Sequence, residues 1–128
     1  MTFLRAAFLA ILTWLPLPAA AQTYLLMAEE AGCVWCARWN AEIAEIYPKT
    51  PEGRAAPLRR YDIRAGAPGD VTLARRVSFT PTFVLVRDGV EIDRIEGYPG
   101  QDFFWGLLGM MLERAGVPPG PEGEGGGT

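Results

Sequence analysis

The chain has 128 residues, of which 49% are hydrophobic and 21% charged; it has no histidine, and its formal net charge is -3. That is the profile of one ordinary globular domain. Acidic residues outnumber basic ones and no basic stripe supplies the phosphate contacts that dominate nucleic-acid binding, so a nucleic-acid partner is excluded.

The first residues have the build of a leader. Met1 to Arg5 carries one positive side chain, Ala6 to Leu15 is almost wholly apolar, and Pro16 to Ala21 ends in small residues with Ala at positions 19 and 21. This predicts an export signal over residues 1–21, removed after Ala21. A retained anchor fits less well, because the apolar stretch is shorter than the ~20 residues of a spanning helix.

Tyr24-Leu25-Leu26-Met27-Ala28 is apolar on both faces and reads as a short, buried, central strand. Glu29 to Gly32 is a loop, and Gly32 lets the backbone turn beside Cys33. From Val34 onward, Trp35, Trp39, Ile43 and Ile46 recur at helical spacing with Arg38, Glu42 and Glu45 on the other side, and Pro48 is expected to stop this helix. Lys49 to Ala56 contains Pro51 and Gly53 and reads as a loop.

Pro57 to Ile63 is expected to form a second strand, with its proline at the start, where a missing donor is tolerated. Gly66 to Asp70 is a turn region. Asp70 is a suitable N-cap for a short helix through Val71, Leu73, Ala74 and Val77. Thr82-Phe83-Val84-Leu85-Val86, the dipeptide Asp88-Gly89 and the alternating Val90 to Glu96 predict a hairpin. After Gly97-Tyr98-Pro99-Gly100, Asp102 to Ala115 reads as a final helix with a broad apolar stripe; Gly106 and Gly109 weaken it but allow close packing. Residues 116–128 are Pro, Gly and Glu with almost nothing to bury, and a disordered tail is expected. There is no internal repeat.

The order strand, helix, strand, helix, hairpin, helix predicts an α/β domain over residues 22–115. It should hold a mixed four-stranded sheet flanked by helices on both faces, with the cysteine pair at a helix N-terminus.

Cys33 and Cys36 are the only cysteines, three positions apart at the start of the first helix. Without histidine or a third cysteine they cannot complete a usual zinc site within one chain. Haem attachment needs a histidine after the second cysteine, where Ala37 stands. A disulfide closing so short a loop makes a poor staple. The redox reading remains, with no resident metal or cofactor expected; a Cu(I) carrier using the two thiolates, or a non-catalytic binding module, is the alternative. At the helix N-terminus, Cys33 meets unpaired N–H groups that favour its thiolate, so it is expected to be the exposed nucleophile. Cys36, one turn inside, would be the buried resolving thiol. With no histidine to stabilise the Cys33 thiolate further, a reductase is favoured over a strong oxidant.

The CxxC motif at the start of a helix after the first strand, together with Phe79-Thr80-Pro81-Thr82-Phe83 opening the hairpin, resembles the thioredoxin superfamily over Tyr24 to Ala115. The resemblance implies a minimal thioredoxin fold, without the extra strand and helix that precede the core in full-length members. It implies a cis Thr80-Pro81 bond against the disulfide and a Thr80 backbone that pairs with an extended substrate segment. Trp35 and Gly97 would border the same site. Met27 stands where thioredoxins carry a buried Asp that helps move the proton of the second cysteine. Trp39, Phe103, Phe104 and Trp105 are expected to serve packing.

Within the superfamily, Gly32 to Trp39, Gly53 to Arg60 and Arg94 to Gly100 with Phe103-Phe104-Trp105 resemble the periplasmic thioredoxin-like proteins of sulfur-oxidising bacteria. That resemblance implies a periplasmic reductase that reactivates the thiol of the sulfur-carrier protein in thiosulfate oxidation. A membrane thiol transporter would supply its electrons.

Overall fold

A computed structural model describes residues 15–16 and 22–121. The expected cleavage point, nearly all of the expected leader and the tail from 122 onward lie outside the described residues.

The sheet is built from β1 (Thr23–Glu29), β2 (Leu58–Asp62), β3 (Thr82–Arg87) and β4 (Val90–Glu96). They lie in the order β2-β1-β3-β4. β1 runs parallel to β2 and antiparallel to β3, and β3 runs antiparallel to β4. The two central strands are the most apolar because both of their faces are covered. Leu25, Met27, Phe83 and Leu85 point to one side, where they meet Trp39, Ile43, Tyr47, Phe104, Leu108 and Met111. Leu26, Ala28, Val84 and Val86 point to the other. Asp88 and Gly89 both have positive φ, 51° and 78°, as a two-residue hairpin turn that follows strand twist requires.

The first helical stretch is less regular than its periodicity predicts. It begins as α1 (Val34–Trp39), passes into a π-helical turn (Asn40–Ala44) and ends as a 3-10 turn (Tyr47–Lys49). Pro48 therefore sits inside a helical turn instead of ending the helix before it, at a position where a proline's missing N–H costs nothing.

The expected loop at 49–56 holds a short helix, α2 (Pro51–Ala55). Thr50 caps it, its Oγ1 accepting the Gly53 N–H at 3.0 Å. Gly53 is there for contact: a Cβ on it would lie 1.7 Å from the Tyr47 carbonyl oxygen.

The helix expected after Asp70 does not form. Residues 71–81 contain no helix, and Thr72 makes an isolated parallel bridge to Val90. The Thr72 N–H donates to the Gly89 carbonyl at 2.7 Å, and the Thr72 carbonyl accepts from Glu91 N–H at 2.9 Å. The Asp70 carboxylate, which would have capped the helix, is taken by Arg59 at 3.1 Å. Among the described residues the helices therefore gather on one face of the sheet, and the expectation of helices on both faces is corrected. Val71, Leu73 and Val77 cover the second face from an extended segment.

The last helix, α3 (Gln101–Arg114), lies within one residue of its predicted bounds. Phe104, Leu108, Met111 and Leu112 are buried beneath it, and Trp105 stacks on Tyr47 with ring centres 6.1 Å apart. Phe103, expected to pack, is instead exposed. The first six residues of the expected tail lie against the body: Val117 N–H donates to the Leu112 carbonyl and Gly120 N–H to Pro51.

Candidate functional site

Gly32 takes φ of 81°, which turns the chain out of the sheet. Cys33 follows as the N-cap of α1, its own N–H donating to the Glu30 carbonyl at 3.3 Å. Its carbonyl accepts from Ala37, and its Sγ accepts the Cys36 N–H at 3.1 Å. A sulfur at this position thus faces an N–H that has no partner within the helix, and that donor favours negative charge on it. The two cysteines are joined as a disulfide with Cα atoms 5.2 Å apart. Cys33 is partly exposed, whereas Cys36 is buried in the face shared with Trp39, Met27 and Phe83.

The second loop of the site comes from the start of β3. The Thr80–Pro81 peptide bond is cis, and Pro81 is buried. Thr82 Oγ1 donates to the Phe79 carbonyl at 2.7 Å, closing a tight turn around the proline. Gly97, with φ of 84°, donates its N–H to the Pro81 carbonyl at 2.7 Å. The structure thus brings Thr80, Pro81 and Gly97 together. Thr80 in turn reaches the loop before Cys33, its Oγ1 donating to Glu30 Oε1 at 3.0 Å. Trp35 stands beside Cys36 in the chain with half its surface exposed, and Val34 and Phe79 are likewise exposed.

Polar contacts next to Trp35 form a small network that the spacing only partly announces. The Arg38 guanidinium lies over the Trp35 ring at 5.7 Å and pairs with Glu42 at 2.8 Å. Tyr98 donates its hydroxyl to the other Glu42 oxygen at 2.5 Å. The hydrogen bond from Arg38, and after it that from Tyr98, holds the Glu42 carboxyl below its ordinary range. Burial, and then Glu42, push the Tyr98 hydroxyl up. Of these contacts only Arg38 and Glu42, one helical turn apart, left a signal in the sequence.

Met27, at the position of the thioredoxin Asp, is fully buried. Arg60, on the neighbouring strand, brings its Nη1 to 3.7 Å from the Met27 sulfur. The same nitrogen donates to Glu29 at 2.7 Å and to Asn40 at 2.8 Å. Trp39, fully buried among Tyr47, Phe83 and Phe104, has a packing role, although its Nε1 has no hydrogen-bond partner among the described residues.

Among the described residues no three His, Cys, Asp or Glu side chains converge as a metal site, and no helix is long and apolar enough to cross a membrane. What the arrangement can do is exchange two electrons between a dithiol and a disulfide, with one sulfur reachable and the other sheltered.

No protein-family model matches the chain, and no curated sequence is matched. A solved structure is matched, the periplasmic thioredoxin SoxS from Paracoccus pantotrophus in its reduced form. It is 55% identical with a TM-score of 0.71, and the match covers 73% of this chain and 98% of that one.

Proposed function

The chain belongs to the SoxS family of periplasmic thioredoxins, and from that membership we propose that it is a periplasmic thiol-disulfide reductase acting through Cys33 and Cys36. The observation that carries the reading is the asymmetry of the pair: a reachable Cys33 whose sulfur accepts a helix N–H, and a buried Cys36 one turn behind it.

In the reaction, the reduced Cys33 thiolate attacks one sulfur of a partner's disulfide. A Cys33–partner bond forms, the partner's S–S bond breaks, and the released thiolate takes up a proton. The Cys36 thiolate then attacks Cys33 Sγ and expels the second partner thiolate. Two electrons have passed to the partner, and Cys33 and Cys36 are left as a disulfide.

A thiol adduct on a single cysteine is released by the same two steps, which suits reactivation of the sulfur-carrier protein of thiosulfate oxidation. A membrane thiol transporter restores the dithiol. Trp35 supplies apolar contact to the partner, while the Thr80 backbone, beside Pro81 and Gly97, pairs with the partner's extended segment.

The test replaces Cys36 with Ser and incubates the protein with insulin and with the purified sulfur-carrier protein carrying a disulfide adduct. A mixed disulfide through Cys33 is expected, together with turnover of both substrates by the wild type. Absence of both would refute the reductase, and stoichiometric Cu(I) retention by the reduced protein would support the carrier instead.

A further inference from the structure

Glu30 joins the two loops that flank Cys33. Its backbone carbonyl accepts the Cys33 N–H at 3.3 Å, and its Oε1 accepts the hydroxyl proton of Thr80, fifty positions along the chain, at 3.0 Å. Its Oε2 faces Arg64 Nε at 3.4 Å, which holds the carboxylate from the other side. Among the described residues, the Thr80 bond is the only side-chain hydrogen bond between residues 29–33 and 79–81. The backbone N–H and carbonyl of Thr80 make no hydrogen bond among the described residues. They are therefore open to pairing, and their place relative to Cys33 depends on what holds the Thr80 side chain.

Resting on the reductase reading, we propose that Glu30 is a positioning residue for substrate. Its carboxylate sets the distance between the Thr80 backbone and Cys33, so that an extended polypeptide paired with Thr80 presents its disulfide to the Cys33 sulfur. Pairing of this kind fixes a partner only in steps of residues, so a loop that shifts by an ångström misplaces the reacting sulfur. A small disulfide has no strand to align and does not need the contact. Arg64 keeps the carboxylate in place, and the Thr80 hydroxyl reads its position.

The experiment compares the wild type, Glu30→Ala, Glu30→Gln and Thr80→Val in two assays: reduction of insulin, and reaction of the dithiol with 2,2′-dithiodipyridine, which is small and uncharged. Glu30→Ala and Thr80→Val are each expected to raise KM for insulin about ten-fold with kcat changed by less than about two-fold, the scale of one lost charge-assisted hydrogen bond. Glu30→Gln keeps an oxygen acceptor for Thr80 and should recover most of that loss. The Glu30→Ala/Thr80→Val pair should lose no more than either alone, because both remove the same bond. The rate with dithiodipyridine should change by less than about two-fold in both Glu30 variants.

Equal losses toward both disulfides, additive losses in the double variant, or an unchanged KM for insulin would each overturn the positioning role while leaving the reductase standing. A wild type inactive toward both disulfides would overturn the two together.

Discussion

Removing the Arg94 guanidinium should destabilise this fold, and the cost should depend on pH. Arg94 lies on β4, 4% exposed, against Glu91, which is 3% exposed. Its Nη2 donates to Glu91 Oε2 at 2.8 Å and to the Arg75 carbonyl at 2.7 Å, and Nη1 reaches the Arg76 carbonyl at 3.4 Å. Among the described residues the second face of the sheet lacks a helix, and these bonds join the Thr72–Glu91 backbone bond and the Arg75–Glu96 pair in tying the covering segment to β4. Arg94→Met keeps the aliphatic stem and deletes the charge. It leaves the Glu91 carboxylate buried with only the Ala74 N–H as donor, at 2.6 Å. Breaking a buried pair in this way costs about 3–5 kcal/mol, a large share of the roughly 5–15 kcal/mol that holds a domain together.

In the wild type, burial alone would raise the Glu91 carboxyl, but the bonds from Arg94 and Ala74 outweigh it and hold the group below its ordinary value. A carboxyl depressed on folding contributes stability above its unfolded pKa, and that contribution fades as pH falls through the folded one. Without Arg94, burial dominates and the sign reverses, so the variant loses stability as pH rises through the carboxylate range. The gap between wild type and variant should therefore be widest near pH 7 and shrink by pH 4. Urea unfolding at both pH values, with m unchanged, measures it. A loss below about 1 kcal/mol at pH 7, or one independent of pH, would refute the reasoning.

Two further outcomes follow from packing and hydrogen bonding. Gly53→Ala sets a methyl 1.7 Å from the Tyr47 carbonyl oxygen, so α2 must shift off the 3-10 turn. A loss of about 2–4 kcal/mol by thermal melting is expected, and a change under about 0.5 kcal/mol would show that the turn yields freely. Tyr98→Phe removes the hydroxyl bonded to Glu42 at 2.5 Å. The Glu42 carboxyl should then titrate closer to its ordinary range while staying below it through Arg38, which NMR of the side-chain carboxyl can follow.

The readable parts of the chain are those whose signal is local. The β-prone run ending in Asp88-Gly89 specifies its hairpin because the two turn residues take positive φ, a conformation that this pair of residue types tolerates. The cysteine spacing likewise specifies both the helix start and the unequal exposure of the two sulfurs. Two segments read differently because a local signal met a distant partner. Asp70 can cap a helix, yet Arg59 takes its carboxylate, and Thr72 spends its backbone groups on the hairpin, its N–H donating to Gly89 and its carbonyl accepting from Glu91. Gly53 looks like a helix breaker, although its lack of a side chain is what lets α2 pass over Tyr47. Within the site, Cys33, Cys36 and Pro81 stood out by type and spacing, whereas Glu30 did not, since its partner lies fifty positions away.

By itself, then, the sequence determined the reactive groups: two sulfurs one helical turn apart, with no histidine or third cysteine to complete a usual zinc site or attach haem. Tertiary structure alone decided how that pair is framed. It placed the helices on one face of the sheet and an extended segment on the other, and it joined Glu30, in the loop before Cys33, to Thr80, and Gly97 to Pro81. The physical reason is range. Backbone preference and helical spacing act over a few residues and are written in neighbouring letters. Ion pairs and loop-to-loop hydrogen bonds depend on which surfaces the folded sheet brings within 3 Å or so of each other.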